Sequence, residues 1–271
     1  MDHTGFNRQD KLKRNAFVFA HPDDDVFISG LMRRLISTGS EVLGVWLTSG
    51  GFLGGQERRE AELRSAASIL GLEKNHCELL RFPDLGLMRS LDSAAVALKE
   101  IFVRFKPDNV FVTAFEGGHP DHDAANFIVY ESRFRSMLDF PIFEFPLYNG
   151  TGPFWSWRWR INAFPSGGPA TLFMPLNSSE VDCKFSIMRV YSSQWMYMAP
   201  AFLARSRKKL IAKGEPYRKC PKTRDHSLPP HAGKLNYERW FNSFMKIRFS
   251  DFSQSVKKTR TFQTFYQDSS G

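Results

Sequence analysis

Two short clusters of acid and histidine, each set directly behind an apolar run, constrain this chain more than any other feature. The first, His21-Pro22-Asp23-Asp24-Asp25, follows the run Ala16-Phe17-Val18-Phe19-Ala20. The second, His119-Pro120-Asp121-His122-Asp123, follows Val110-Phe111-Val112-Thr113-Ala114. A short apolar run that breaks abruptly into charge reads as a buried strand delivering polar side chains to the rim of a sheet. In open α/β sheets the rim at the carboxyl ends of the strands is where ligands bind. The chain must therefore fold so that two remote strands end side by side.

The segments between and around the clusters support such a sheet. Val26, Phe27, Ile28, Leu31, Met32, Leu35 and Ile36 recur at helical spacing, and Gly39 supplies a stop. Residues 41–48 read as a second strand, followed by the Gly-rich loop 49–55. Residues 56–70 read as a charged helix closed by Gly71, 78–82 as a strand, 91–105 as a helix and 109–114 as a strand. A further helix is predicted over 123–138, and another strand over 143–147. Strands alternating with helices imply βαβ units with right-handed crossovers. The expected fold is α/β: a Rossmann-like, mostly parallel sheet flanked by helices, with an irregular C-terminal extension. Beyond residue 140 the pattern weakens: 151–175 is rich in Trp, Pro and Gly, and 179–198 reads as a helix. A single domain over 1–271 is expected, comprising a tail (1–15), a core (16–140) and a substrate-shaping extension (141–271).

At 42% hydrophobic and 24% charged residues, the composition is that of a soluble globular protein. No apolar run approaches the roughly 20 residues that span a bilayer, and the polar N-terminus carries no signal-peptide core. A cytoplasmic location is expected. Cys77, Cys183 and Cys220 form no metal-binding spacing and read as free thiols. The net charge of +9 is concentrated between Arg205 and Arg224, where nine basic residues face the single acid Glu215. That stretch reads as a solvated surface segment, or as one that draws in an anionic substrate.

The two clusters suit metal hydrolysis. His21, Asp24 and His122 would supply two nitrogens and one oxygen, leaving a coordination position open for water. Asp23 adjoins a ligand and is the candidate general base. His119 would donate a hydrogen bond to a developing oxyanion or leaving group, with Asp121 orienting it. Trp155, Trp157 and Trp159 could wall a ligand site or pack in the core.

These motifs resemble the LmbE-like/PIG-L family of zinc-dependent N-acetylglucosamine deacetylases. The family's AHPDDE motif stands here as Ala20-His-Pro-Asp-Asp-Asp25, and its HPDH motif as His119-Pro-Asp-His122. The resemblance implies zinc on His21, Asp24 and His122, Asp23 as general base, and His119 as general acid or oxyanion stabiliser supported by Asp121. Other divalent metals would also suit such donors. The family's RxxExxxAxxxLG helix is matched by Arg59, Glu62, Ala66, Leu70 and Gly71. By the same resemblance Arg59 and Asp84 would bind the sugar. The chain departs from the family at Asp25, where Glu is usual, and at Tyr191, where a Lys184-x6-Tyr191-Ser-Ser-Gln194 stretch carries a frequent His. The region beyond 200 follows no family pattern.

The implied activity is hydrolysis of the N-acyl group, in the first place N-acetyl, of an amino sugar or its glycoconjugate. An alternative keeps the mechanism and changes the substrate to a different N-acyl or carbamoyl group. The expected partner is a small N-acetylated sugar or glycoconjugate, anionic if the basic segment serves it, and a homo-oligomer is compatible. A nucleic-acid or membrane-surface binder on a relic enzyme fold is disfavoured, because the ligand set is intact. No dedicated nucleic-acid binding and no transmembrane segment are expected.

Overall fold

The computed structural model describes residues 13–51, 55–152, 159–195, 211–240 and 246–268. Along the chain run β1 (Arg14–Phe19), α1 (Ser29–Ser37), β2 (Glu41–Thr48), α2 (Gln56–Leu70), β3 (Cys77–Phe82), α3 (Leu91–Phe105), β4 (Asn109–Thr113) and α4 (Pro120–Ser136). Then come β5 (Ile142–Phe145), β6 (Tyr148–Asn149), β7 (Arg160–Ile161), β8 (Leu172–Met174), α5 (Ser178–Val190), β9 (Glu215–Lys219), α6 (Asn236–Trp240) and α7 (Phe249–Asp268).

Seven strands form one sheet in the order β3-β2-β1-β4-β5-β9-β8. The first five are parallel, while β9 runs antiparallel to β5 and β8 antiparallel to β9. The expected Rossmann-like sheet is thus present, and three of its strands come from beyond residue 140. The strand order reverses between β1 and β4, so the crevice at their carboxyl ends is the natural ligand position. Both acid–histidine clusters open there.

Strand alternation sorts the core into two layers. On β1, Ala16 and Val18 face α3, α4 and α7, while Phe17 and Phe19 face α1, α2 and α5. Phe17 stacks on Phe111 of β4 at 4.6 Å, and Phe111 on Phe143 of β5 at 5.0 Å. Every residue from Ala16 to Ala20 is wholly buried. That is the signature of a parallel strand covered on both faces, and it explains the near-continuous apolar run.

The helix after β4 begins at Pro120, three residues earlier than the sequence suggests. Proline fits the first helical turn because its missing N–H would be unpaired there anyway. His119 is the N-cap: its side chain accepts the Asp121 N–H. Asp121 and His122 consequently sit in the first turn of α4 rather than on a strand end. The helix expected over 179–198 ends at Val190, followed by a 3-10 turn (Ser192–Gln194); residues 196–198 lie outside the described ones.

The basic stretch is not simply a solvated surface. Arg218 and Arg224 are inserted against the buried Glu144 of β5, at 2.7 and 2.6 Å. Lys213, Lys219 and Lys222 are exposed, and Arg205, Arg207, Lys208 and Lys209 lie outside the described residues. The three cysteines are free thiols. Among the described residues no helix is long and apolar enough to cross a membrane.

A second buried ion pair ties the carboxyl-terminal strand to the amino-terminal half. Glu215 on β9 accepts the N–H groups of Gly30 (3.0 Å) and Leu31 (2.8 Å), two free donors at the start of α1. Lys184 of α5 lies 2.6 Å from the same carboxylate and also donates to the Val26 carbonyl. Removing one partner of a buried pair strands the other charge. Lys184→Met is expected to lower unfolding stability by about 3 kcal/mol in denaturant titration. A loss below about 1 kcal/mol would mean that the helix terminus alone holds the carboxylate.

Candidate active site

His21 follows β1 at the rim, and the chain then tightens into a 3-10 turn (Asp24–Phe27). This turn folds Asp24 back: its Oδ2 accepts the backbone N–H of His21 at 2.9 Å and lies 3.7 Å from His21 Nδ1. Its Oδ1 lies 3.1 Å from Nε2 of His122, which arrives from α4. Asp24 therefore joins the two clusters. On its far side, His21 Nε2 meets Asp84 Oδ1 at 3.1 Å and Asp121 Oδ2 at 3.3 Å. Asp121 is anchored by the N–H groups of Leu85 (2.6 Å) and Leu87 (3.1 Å). The His119 ring stands nearly perpendicular to that of His21, with centroids 4.7 Å apart, and 5.0 Å from His122.

All eight residues singled out in the sequence thus converge, though not always on the expected neighbour. Asp121 meets His119 through its backbone, donating its N–H to His119 Nδ1 at 3.2 Å, whereas its carboxylate lies against His21. Asp84 also borders His21. Arg59 is buried and spends its Nη2 on Asp23 Oδ1 at 2.8 Å and on the Pro22 carbonyl. Glu62, one turn further along α2, accepts from Ser193 N (2.9 Å) and from the hydroxyls of Ser192 and Ser193, which fixes the turn after α5.

Burial and charge set the protonation of the cluster. Burial penalises a charged His21, yet its bonds to Asp121 and Asp84 carry the pKa well above the ordinary value. Burial also works against the Asp24 carboxylate, but His122 and His21 hold its pKa below the usual range. For Asp23 burial wins over the Arg59 guanidinium, and its pKa is raised. His119 is pushed well below the ordinary range by burial and by the neighbouring His21 and His122. Burial lifts Asp25 to about 7.

The donor set suits a divalent metal. Ring nitrogens of His21, His119 and His122 can all lie within 4.8 Å of one another, as can donor atoms of His21, Asp84 and Asp121. Two donors about 2.0–2.1 Å from a tetrahedral ion stand about 3.3 Å apart. Asp24 Oδ1 stands 3.1 Å from His122 and Oδ2 3.7 Å from His21, so its two oxygens face different rings, and neither of the two close groups includes Asp24. His21 Nε2 faces carboxylates and leaves Nδ1 toward Asp24, the arrangement that orients a metal-binding imidazole. His122 Nδ1 is buried without a hydrogen-bond partner, and the ring's polar contact with the protein is Nε2 to Asp24 Oδ1.

Sequence reasoning missed Tyr148. Its ring lies 5.5 Å from that of His122 and 5.1 Å from that of Trp159. Its hydroxyl pKa is raised well above normal by burial and by the charges of Asp24, Asp23, Glu116 and Asp84. The available signal was its place just past the fifth parallel strand, on the same rim. Gly118 permits this approach, since a Cβ there would lie 1.9 Å from the Tyr148 carbonyl oxygen. Trp155 and Trp157 lie outside the described residues.

A switch-point crevice lined with buried imidazoles and carboxylates offers nitrogen and oxygen donors of the kind that hold a divalent ion. Residues 16–132 match the model of the PIG-L family, described as GlcNAc-PI de-N-acetylase, in keeping with the resemblance seen in the two motifs. No curated protein sequence matches the chain significantly. Among solved structures, the zinc-inhibited form of teicoplanin deacetylase Orf2 is similar at a TM-score of 0.59 and 15% identity, over 78% of this chain and 100% of that one. The N,N'-diacetylchitobiose deacetylase of Pyrococcus horikoshii is similar at 0.55 and 22%, over 80% and 88%. The 4-carboxy-2-hydroxymuconate hydratase GalB of Pseudomonas putida KT2440 is similar at 0.52 and 17%, over 79% and 98%. These likenesses concern the fold.

Glu116 props up this wall from below. Wholly buried, it accepts the N–H groups of Leu147 (2.7 Å) and Tyr148 (3.0 Å) and the Asn149 amide (2.9 Å). Burial lifts its pKa to about 8. A carboxyl raised on folding stabilises the protein below its unfolded pKa and loses that contribution as pH climbs through the folded value. The melting temperature of the parent should therefore fall relative to that of Glu116→Gln between pH 5 and 8. A parent that gains on the variant as pH rises would refute the assignment.

Proposed function

We propose that this protein hydrolyses the N-acyl group, in the first place N-acetyl, of an amino sugar or its glycoconjugate, with zinc as its resident metal. The observation that carries the reading is Asp23: a partly buried carboxylate beside the donor set of His21, Asp24 and His122, yet bonded to Arg59 rather than to an imidazole. A metal hydrolase needs such a carboxylate outside its ligand set to move protons.

His21 Nδ1, the Asp24 carboxylate and His122 Nε2 would hold the ion, with Asp121 and Asp84 orienting His21. Zinc in such a site supplies Lewis acidity toward the amide carbonyl and lowers the pKa of water. Asp23 Oδ accepts the proton of the attacking water, and its raised pKa brings it closer to the working pH. Arg59 keeps that carboxylate aimed and favours its charged form against the effect of burial.

His119 acts as a neutral donor. Its Nδ1 accepts the Asp121 N–H, so the proton resides on Nε2, where it can bond the developing oxyanion. Burial and the adjacent imidazoles disfavour an imidazolium in the resting site. The proton taken by Asp23 then passes to the leaving amine. Tyr148 and Trp159 offer an aromatic wall beside His122 against which a sugar ring could lie.

The test is mass spectrometry of N-acetylated sugars, nucleotide sugars, glycolipids and short N-acyl or carbamoyl amines after incubation with zinc-loaded protein. Release of acetate from an amino sugar is expected. Asp23→Asn should lower kcat about 10²–10⁴-fold with metal content unchanged. His122→Ala should lose stoichiometric zinc. Undiminished turnover by Asp23→Asn would remove the base, and unaltered zinc affinity of His122→Ala would remove the ligand set.

A further inference from the structure

Asp23 has a backbone that needs explaining. Its φ is +100°, in the left-handed half of conformational space that residues with a side chain seldom occupy. Such a conformation persists only where the surroundings over-determine it, and it clusters at functional sites. Three contacts grip Asp23 directly. Arg59 holds the carboxylate, Asp25 Oδ1 accepts the backbone N–H at 3.2 Å, and the Asp23 carbonyl accepts the Val26 N–H at 3.1 Å. The first aims the side chain, the second fixes the peptide on the amino side, and the third leads the chain into the 3-10 turn.

Asp25 could not do this unaided. It is wholly buried, and a lone carboxylate there would either turn toward another donor or take up a proton. Its second oxygen, Oδ2, accepts the hydroxyl of Tyr191 at 3.1 Å. Tyr191 is itself wholly buried at the end of α5, and its backbone N–H is bonded to the Ile187 carbonyl. The turn that follows it is pinned to α2 by Glu62. The phenol is therefore a fixed donor, and the carboxylate between Tyr191 and Asp23 has both oxygens engaged.

We propose that Tyr191 is a positioning residue for the reaction: its hydroxyl anchors Asp25, and Asp25 clamps the Asp23 peptide in its left-handed conformation beside the donor set. Tyr191 touches neither the imidazoles nor the substrate; it acts through Asp25. This inference rests on the assignment of Asp23 as base. The pairing links the two positions at which the chain departs from the motifs it resembles. An aspartate at 25 falls one methylene short of a glutamate, and a phenol at 191 reaches further than an imidazole.

The experiment combines Tyr191→Phe with the paired change Asp25→Glu/Tyr191→His, both compared with the parent as full-length zinc-loaded protein. With an N-acetylated sugar that the parent hydrolyses, Tyr191→Phe should lower kcat about 10–100-fold, the usual size of an effect on outer-shell support. KM and zinc stoichiometry should stay within about twofold, since neither ligand nor sugar contact is removed. Independently of any substrate, amide hydrogen exchange at Asp23 should accelerate at least about tenfold in Tyr191→Phe. The paired variant should recover most of the lost kcat and the Asp23 protection. An unchanged exchange rate at Asp23 in Tyr191→Phe overturns the proposal, even if stability or turnover falls. If Tyr191→Phe does not fold, a paired variant that folds yet leaves Asp23 unprotected overturns it as well. A parent that hydrolyses no N-acyl substrate would defeat the functional reading, while the exchange measurement would still decide the positioning role.

Discussion

The site depends on one carboxylate, that of Asp24. Its two oxygens face imidazoles from opposite sides of the switch point, His21 just past β1 and His122 in the first turn of α4. Two buried imidazoles next to each other would repel on protonation, and burial would drive each toward neutrality. Asp121 and Asp84 reverse that balance at His21, with a smaller contribution from Asp24. The Asp24 carboxylate has little freedom, because one oxygen is also held by the His21 N–H. The remaining groups are arranged around that joint, with His119 above the two rings and Asp23 to one side.

Much of the architecture could be read from residue order. β2, α2 and α3 fall where their periodicities put them, because each is either a continuous apolar run or a helix closed by a clear stop, such as Gly71. The start of α4 was misplaced because the acidic cluster masks the apolar period, although Pro120 marks the first helical turn. β8 and β9 were not visible at all. β9 (Glu215–Lys219) is charged, and its burial rests on pairing Glu215 with Lys184 and Arg218 with Glu144 rather than on apolar alternation.

The site shows the same division. Chemistry picked out His21, Asp23, Asp24, His119, Asp121 and His122, since their residue types and spacing admit few other uses. Resemblance added Arg59 and Asp84. Neither route could say which carboxylate meets which ring, because that depends on chain direction at the rim. Asp121 turns its carboxylate to His21 while its backbone caps onto His119, an arrangement set by the way α4 starts. Tyr148 was silent for a similar reason: it follows a short strand, and only tertiary packing brings it over His122.

Glu215 carries a consequence for how the chain reaches its folded state. The carboxylate that closes the start of α1 is separated from Gly30 by 185 positions in the chain. The turn bearing Asp23, Asp24 and Asp25 leads directly into that helix, so its final support arrives with one of the last strands. During synthesis the amino-terminal β-α units can collapse as they emerge, but α1 keeps unpaired donors until β9 docks. Closing so distant a contact is slow relative to local helix formation. The reactive loop is therefore among the last parts of the molecule to set, and a nascent chain remains without its full chemistry until the sheet is closed.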